Sequence, residues 1–392
     1  MKVSTRLANI NGGGSDGWEL FERARAMIAA GTPVIELTQG EHDIPTDPVI
    51  LDAMHAAARS GNTGYAPITG LPALRDAVAA RIETRTGVPT TRDNIMIQPG
   101  GQAGLYATHL AALNIGDRAL HIDPFYATYP GTIRAVGGVP VAVAAKPEHG
   151  FMPQAGDIVA KSDGAKSLLI NAPNNPTGVI YDRATWDGIA QVCQDHDLWL
   201  ISDEVYDTQV WQGTHLSPRA LPGMAARTMV IGSMSKSHAM TGSRIGWVCT
   251  TPDMVAHLAD LATNTTYGVP GYIQEAALFG LNAGAALEEK VAAPFRRRRD
   301  LTLQALAGQN VLKAVPPDGA MYVMIDVRAT GLTGEAFGNA LLDQEHIAVM
   351  PGESFGAAGA GHIRIAMTTD DAAYVDALHR ITAFAQRFAA KT

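Results

Sequence analysis

The sequence predicts an α/β protein with a mostly parallel central sheet flanked by helices, and a smaller α+β lobe made from both chain ends. Three observations carry this. From Ile95 onward, short apolar runs rich in β-branched residues alternate with helical stretches. After Pro252 the alternation gives way to long helices and then returns in the tail. Polar, glycine or aromatic residues follow five of the strand-like runs, where ligands bind in open parallel sheets.

In chain order, Asp16–Ala30 reads as a helix with Asp16 as candidate N-cap, Glu19 completing a capping box and Gly31 as the stop. Val34–Leu37 reads as a short strand. Helices follow near Pro48–Ser60 and Leu71–Thr86, the second with Pro72 in its first turn. The runs IMIQ (95–98), RALHI (118–122), SLLIN (167–171), LWLIS (198–202) and TMVIG (228–232) read as buried strands, with helices at 102–114, 126–136 and 183–195. A long helix from Ala285 to Leu306 is expected to break or bend at Pro294. The tail reads as MYVMIDV (321–327), a helix over 333–343, IAVM (347–350), HIRIAM (362–367) and a helix over 371–388. A large domain is expected at 46–285, and a small one from 1–45 and 286–392.

The bulk numbers narrow the function. The 392 residues are 46% hydrophobic, ordinary for a globular chain, and the net charge of −8 disfavours broad nucleic-acid binding. Two cysteines without a C-x-x-C pair exclude a disulfide scaffold or a cysteine zinc site, and the twelve histidines show no metal-binding spacing. No run is apolar and long enough to span a bilayer, and MKVSTRLANINGGG lacks an apolar signal core. The expectation is a cytoplasmic protein without nucleic-acid or membrane partners.

The stretch GSMSKSHAMTGSRIGW (232–247) holds one lysine between two serines, an arginine eight places on, and no acid. A lysine in an uncharged setting can act as an amine nucleophile toward an aldehyde, and the aldehyde cofactor that uses lysine is pyridoxal 5'-phosphate (PLP). The other demands of PLP find candidates too. Gly100, Gly101 and Gln102 at a strand-to-helix turn, Ser233, Ser235 and Arg244 suit a phosphate. Asp203 suits the pyridine nitrogen, Asn175 and Tyr206 the phenolic oxygen, and Tyr126 the ring face. Arg364, a charge inside HIRIAM, suits a substrate carboxylate. Each has a plainer alternative: a solvated lysine, helix-capping acids at 203–204, an edge-strand arginine, or tyrosines that only pack.

Taken together, GYAPITGLPALR (64–75), NAPNNPTG (171–178), SDEVYD (202–207), SMSKSHAMTGSRIGW (233–247) and GHIRIA (361–366) resemble, in order, the class I/II aminotransferases of PLP fold type I, the aspartate-aminotransferase-like family. The resemblance covers about residues 30–370. It implies that Lys236 forms the Schiff base with PLP and shuttles the substrate proton, with Asp203 and Tyr206 also catalytic. It implies that Asn175 and Tyr206 bond the phenolic oxygen and that Tyr126 stacks on the ring. Ser233, Arg244 and the amides of Gly101 and Gln102 would hold the phosphate. Tyr65 would reach the neighbouring subunit's phosphate in a homodimer with shared sites. Arg364 would fork onto the α-carboxylate beside Gly40 and Asn175. The implied activity moves an amino group from an L-amino acid to a 2-oxo acid, with 2-oxoglutarate the expected acceptor.

The sequence departs from that family in three places. His42 in GEHD stands where a proline is common, and Gln102 stands where some aspartate-using members carry a lysine. NGGGSDGW (11–18) is glycine-rich, and Trp18 is either a pocket residue or part of a flexible leader. NTTYGVPGY (264–272), expected to serve the partner's pocket, supplies no arginine, which leans the donor toward neutral or aromatic amino acids with aspartate still open.

The rivals are a carbon–sulfur β-lyase of the same fold, disfavoured by Arg244, and a regulator with an aminotransferase-like domain, disfavoured because about thirty residues precede the first matching strand. GGGSDG (12–17) lacks the strand a dinucleotide motif needs, and GESFG (352–356) lacks the helix a nucleophile elbow needs. FRRRRD (295–300) is expected to be a solvated helix face, since four consecutive residues wrap around a helix.

Overall fold

The computed structural model describes residues 1–12 and 17–389. Seven strands form the main sheet, in the spatial order Ile95–Gln98, Gly246–Cys249, Thr228–Ser233, Trp199–Asp203, Ala165–Asn171, Arg118–Asp123 and Val139–Ala144. Gly246–Cys249 runs antiparallel to both neighbours, and the other six share one direction. Of these, Ile95–Gln98, Trp199–Asp203, Thr228–Ser233 and Gly246–Cys249 are buried along nearly their whole length, because helices cover both faces of the sheet.

The caps follow side-chain chemistry. Asp182 accepts from the Thr185 amide at 2.8 Å and opens the helix Arg183–Asp195. Asp47, followed by Pro48, opens Pro48–Arg59 in the same way, and Gly87 at φ +68° closes Pro72–Thr86.

A four-stranded antiparallel sheet forms a second layer, in the order Met350–Pro351, His362–Ala366, Tyr322–Asp326, Lys313–Val315. Phe295, Phe337, Tyr374 and Phe384 pack against it as one apolar core. Ile35–Glu36 pairs in parallel with Ile347–Ala348, which ties the N-terminal segment to this layer.

Several expectations need correction. The first long helix runs Glu19–Ala29 with Trp18 at the N-cap position; Asp16 lies outside the described residues, as does most of GGGSDG. The helix expected over 126–136 runs Tyr129–Ala135, because Tyr126–Thr128 form the turn that enters it. Ala285–Ala305 is one helix through Pro294, so the expected break is absent; the carbonyl that the proline cannot bond belongs to Lys290. IAVM is two strands in different sheets, divided at Val349. FRRRRD is not simply a solvated face. Arg296, Arg297 and Arg299 pair at the surface, whereas the Arg298 side chain is only 4% exposed and binds Asp43, Asp371 and the Met367 carbonyl.

Two predictions follow from this packing. Arg298 holds the segment after Gly40 against the small layer through bonds of 2.9 and 2.6 Å to Asp43. Arg298→Met leaves the partly buried Asp43 carboxylate without its cation and Asp371 with Arg297 alone, and the expected loss is about 2–3 kcal/mol, measured as a shift in the urea midpoint at constant m.

His109, in the helix Gly101–Ala112, and His121, in the main-sheet strand Arg118–Asp123, are both buried. Both ring nitrogens of His109 lack partners among the described residues, and burial lowers the two rings from 6.5 to about 3 and about 4. Above pH 6.5 both are neutral whether folded or not. Below it the unfolded chain takes up protons that the folded chain refuses, so stability falls from pH 6.5 toward 4. His109→Leu is expected to flatten that fall, seen by comparing urea midpoints at pH 7 and pH 5.

Candidate active site

The six co-directional strands bring their C-terminal ends to one edge of the sheet. Asp203 ends its strand directly beside Asn171, and Ser233 ends its strand opposite Gly246. The reversed strand starts at this same edge, so Arg244, two residues earlier in the chain, arrives there as well. The small layer contributes Gly40, Tyr322 and Arg364 from the other side. Between them lies a cavity of about 270 Å³, walled by Gly101, Gln102, Tyr126, Asn175, Asp203, Tyr206, Ser233, Lys236, Arg244 and Arg364, with Trp18 and Glu41 also on its wall.

Each group is held in place. Lys236 lies in the short helix Met234–Ser237, which Ser233 caps, and its Nζ donates to the Gly40 carbonyl. Gly40 must be glycine, since a Cβ there would fall 1.7 Å from the Tyr322 hydroxyl. Asp203 is buried at the cavity floor and accepts from the Tyr129 hydroxyl at 2.7 Å. Burial pushes its carboxyl up to about 6, with the Tyr129 bond opposing the rise. Tyr206 contacts the Tyr322 hydroxyl at 3.0 Å, and burial raises its phenol well above the usual value. Tyr126 stands edge-on to Tyr129 at 5.7 Å.

Arg364 is 1% exposed. Its Nη1 donates to Asn175 Oδ1 at 2.9 Å and its Nη2 to the Thr38 carbonyl. The guanidinium lies 4.4 Å from the ring centres of both Tyr322 and Phe355. Its strand has a neighbour on each side, so it is no edge-strand cation, and its buried Nε has no partner among the described residues.

At the other end, the helix Gly101–Ala112 points its N-terminus at the cavity. Gly100, at φ +86°, lets Arg244 approach so closely that a Cβ would meet Nη2 at 2.4 Å. Ser233 Oγ and Ser235 Oγ lie 2.9 Å apart beside it. Gln102 is tied to Thr132 and Thr128 by bonds of 2.8 and 3.1 Å.

These residues fit PLP. Amides at a helix N-terminus, two hydroxyls and an arginine suit a phosphate, a buried carboxylate suits a protonated ring nitrogen, and a lysine stands in the same cavity. Tyr65 is the exception among the expected residues. It lies outside this chain's cavity, 88% exposed, with its ring 4.9 Å from Tyr267.

Sequence reasoning missed Tyr322, Tyr129 and Gln209. Tyr322 left one signal, a polar-tipped aromatic near the start of the mostly apolar run MYVMIDV. Tyr129 and Gln209 left none, because their partners are distant in the chain.

Two outcomes test this geometry. Asp203 is ionised above pH 6 and protonated below it, so uptake of PLP by the apoenzyme is expected to weaken as pH falls through 6, measured by cofactor titration at pH 5 and 7.5. Tyr322→Phe removes the hydroxyl that orients Tyr206, and turnover is expected to fall about fivefold with the fold intact, checked by steady-state kinetics and circular dichroism.

Comparison with known proteins agrees with this chemistry. The family model "Aminotransferase class I and II" matches residues 32–381. An arginine–pyruvate transaminase of Pseudomonas aeruginosa is 39% identical over 382 residues, covering 97% of each chain. An aspartate/prephenate aminotransferase of Thermus thermophilus is 34% identical over 363 residues, covering 91% of this chain and 92% of that one. Among solved structures, a double mutant of Thermus thermophilus aspartate aminotransferase superposes with a TM-score of 0.92 at 31% identity, over 98% of this chain and 100% of that one. An aromatic aminotransferase from Pyrococcus horikoshii gives 0.87 at 30%, over 93% and 99%. With the fold, the cavity and these relatives in agreement, the chain belongs to the class I and II aminotransferases, PLP-dependent enzymes of fold type I that move an amino group from an amino acid to a 2-oxo acid.

Proposed function

We propose that the donor is an L-amino acid without a side-chain carboxylate and that Lys236 is the group that moves its proton. The observation that carries the first part is the charge on the cavity wall. Among the described residues its cations are Lys236, Arg244 and Arg364, and each already has a task, in proton transfer, at the phosphate or at the α-carboxylate. Gln102 is neutral and tied at both ends to threonines. Glu41 is a second carboxylate on the wall after Asp203, and it forms no ion pair among the described residues. That wall suits a neutral or basic side chain better than an acidic one. The name of the Pseudomonas relative makes arginine and pyruvate the first pair to test, alongside the 2-oxoglutarate expected from sequence.

Bound PLP supplies an aldehyde that captures amino groups and a ring that accepts the electron pair left at Cα. Arg364 holds the substrate α-carboxylate in a fork, with Asn175 and the Gly40 backbone beside it. Lys236 Nζ would be the base that takes the Cα proton and the acid that returns it. Asp203 would keep a proton on the ring nitrogen, while Asn175 and Tyr206 would donate to the phenolic oxygen. Ser233, Arg244 and the amides of Gly101 and Gln102 would hold the phosphate, and Tyr126 would pack on the ring face.

The exposure of Tyr65 supports a role at the phosphate of a second copy, hence a homodimer with shared sites. We propose a large domain over 46–285, a small one from 1–45 and 286–392, and a cytoplasmic enzyme. Among the described residues no helix is long and apolar enough to cross a membrane.

The deciding experiment is a half-reaction screen. Single amino acids are added to the PLP-loaded enzyme without any oxo acid, and the visible cofactor band is followed. Arginine and neutral amino acids are expected to convert the cofactor to its amine form, with aspartate the slowest. Release of pyruvate or ammonia with the band unchanged would make the protein a β-lyase instead.

A further inference from the structure

The segment Gly40–Thr46 lies along the lysine loop and meets it four times. The Gly40 carbonyl accepts from Lys236 Nζ, and Glu41 Oε1 accepts from Thr241 Oγ1 at 3.2 Å. His42 Nε2 lies 3.1 Å from the Lys236 carbonyl oxygen, and Thr46 Oγ1 donates to the Ala239 carbonyl at 2.6 Å. Asp43, in the middle of this strap, is bound to Arg298, which in turn binds Asp371 and the Met367 carbonyl of the small layer. The strap therefore joins the small layer to the loop that carries the lysine.

His42 occupies a specific point in it. The helix that holds Lys236 ends at Ser237, so the Lys236 carbonyl is one of its terminal acceptors without a helical donor. Two side chains from elsewhere supply donors: His42 Nε2 and Gln209 Nε2, the latter at 3.2 Å. The His42 ring stands edge-on to Phe295 at 5.3 Å, and its Nδ1 is shut off from water with no partner among the described residues. Burial and the nearby Lys236 charge lower the ring to about 3, so it is neutral at working pH. A neutral ring facing a carbonyl through Nε2 carries its proton there, so His42 is a donor.

We propose that His42 is a positioning residue for the catalytic lysine: its Nε2–H pins the Lys236 main-chain carbonyl while Gly40, two residues earlier on the same strap, receives Nζ. One short segment then grips both ends of one residue. The backbone of Lys236 is kept from drifting as Nζ moves between its cofactor-linked and free positions. His42 touches neither substrate nor cofactor in this scheme. The proposal rests on the assignment of Lys236 as the cofactor-bearing lysine.

The test compares His42→Gln, His42→Asn and His42→Ala in the PLP-loaded enzyme. A glutamine amide nitrogen reaches about as far as Nε2, whereas asparagine reaches only as far as Nδ1. Two quantities are measured: the pH midpoint of the visible cofactor band without substrate, and kcat and KM separately. His42→Asn and His42→Ala are expected to move the midpoint and to lower kcat about fivefold with KM within about twofold, while His42→Gln keeps wild-type values.

Midpoints unchanged in all three variants would overturn the proposal and leave His42 as packing on Phe295. A glutamine variant displaced as far as the alanine one would overturn it equally, since ring shape and not the donor would then matter. If the alanine variant does not fold, the glutamine–asparagine pair decides alone. Failure of the underlying assignment looks different: Lys236→Ala would then keep a pH-dependent visible band and turnover.

Discussion

Parallel pairing is the constraint on which this protein depends. Strands that share a direction deliver their C-terminal ends to one edge, where helix N-termini also gather. Asp203 and Ser233 lie 30 residues apart in the chain and the Gly100–Gly101 turn more than a hundred residues before either, yet they meet there because the hydrogen-bond ladder leaves no other arrangement. The one reversed strand extends this logic. It begins at the functional edge, so the residues before it, Arg244 among them, are delivered to the same place.

Charge in the cavity is managed by burial and by pairing. Arg364 is the extreme case, a guanidinium in a central strand of the small sheet. It is tolerated because Asn175, the Thr38 carbonyl and two aromatic faces replace water. These partners come from both layers, so the arginine also joins the small sheet to the Asn175 loop. Asp203 sits at the opposite extreme. Burial raises it toward neutrality, and a positive ring nitrogen would restore its charge. A cavity with a fixed cation at one end and a carboxylate awaiting a cation at the other is polarised before any ligand enters.

The N-terminal segment carries more of the site than its short strand suggests. Ile35–Glu36 anchors it to the small layer, and from there it passes Thr38 to Arg364, Gly40 to Lys236 Nζ and His42 to the Lys236 carbonyl. The buried Arg298–Asp43 pair holds the far end of that run. Packing in the small layer and geometry at the lysine are therefore linked through covalent chain and a handful of hydrogen bonds.

The sequence by itself determined the fold class, most element positions and the main chemical groups of the site. Apolar strand periodicity is local, and Lys236, Asp203, Asn175 and Arg364 stand in compact motifs whose residue types state the chemistry. Tertiary structure alone decided which groups orient them. Tyr322 finds Tyr206, Tyr129 finds Asp203, and His42 finds Lys236 across gaps of 116, 74 and 194 residues, distances over which no periodicity carries information. The same reason governs the corrections. Pro294 sits inside an unbroken helix whose Val291 and Phe295 are packed into the core of the small layer, and Arg298 is buried because Asp43 and Asp371 are brought to it from opposite ends of the chain.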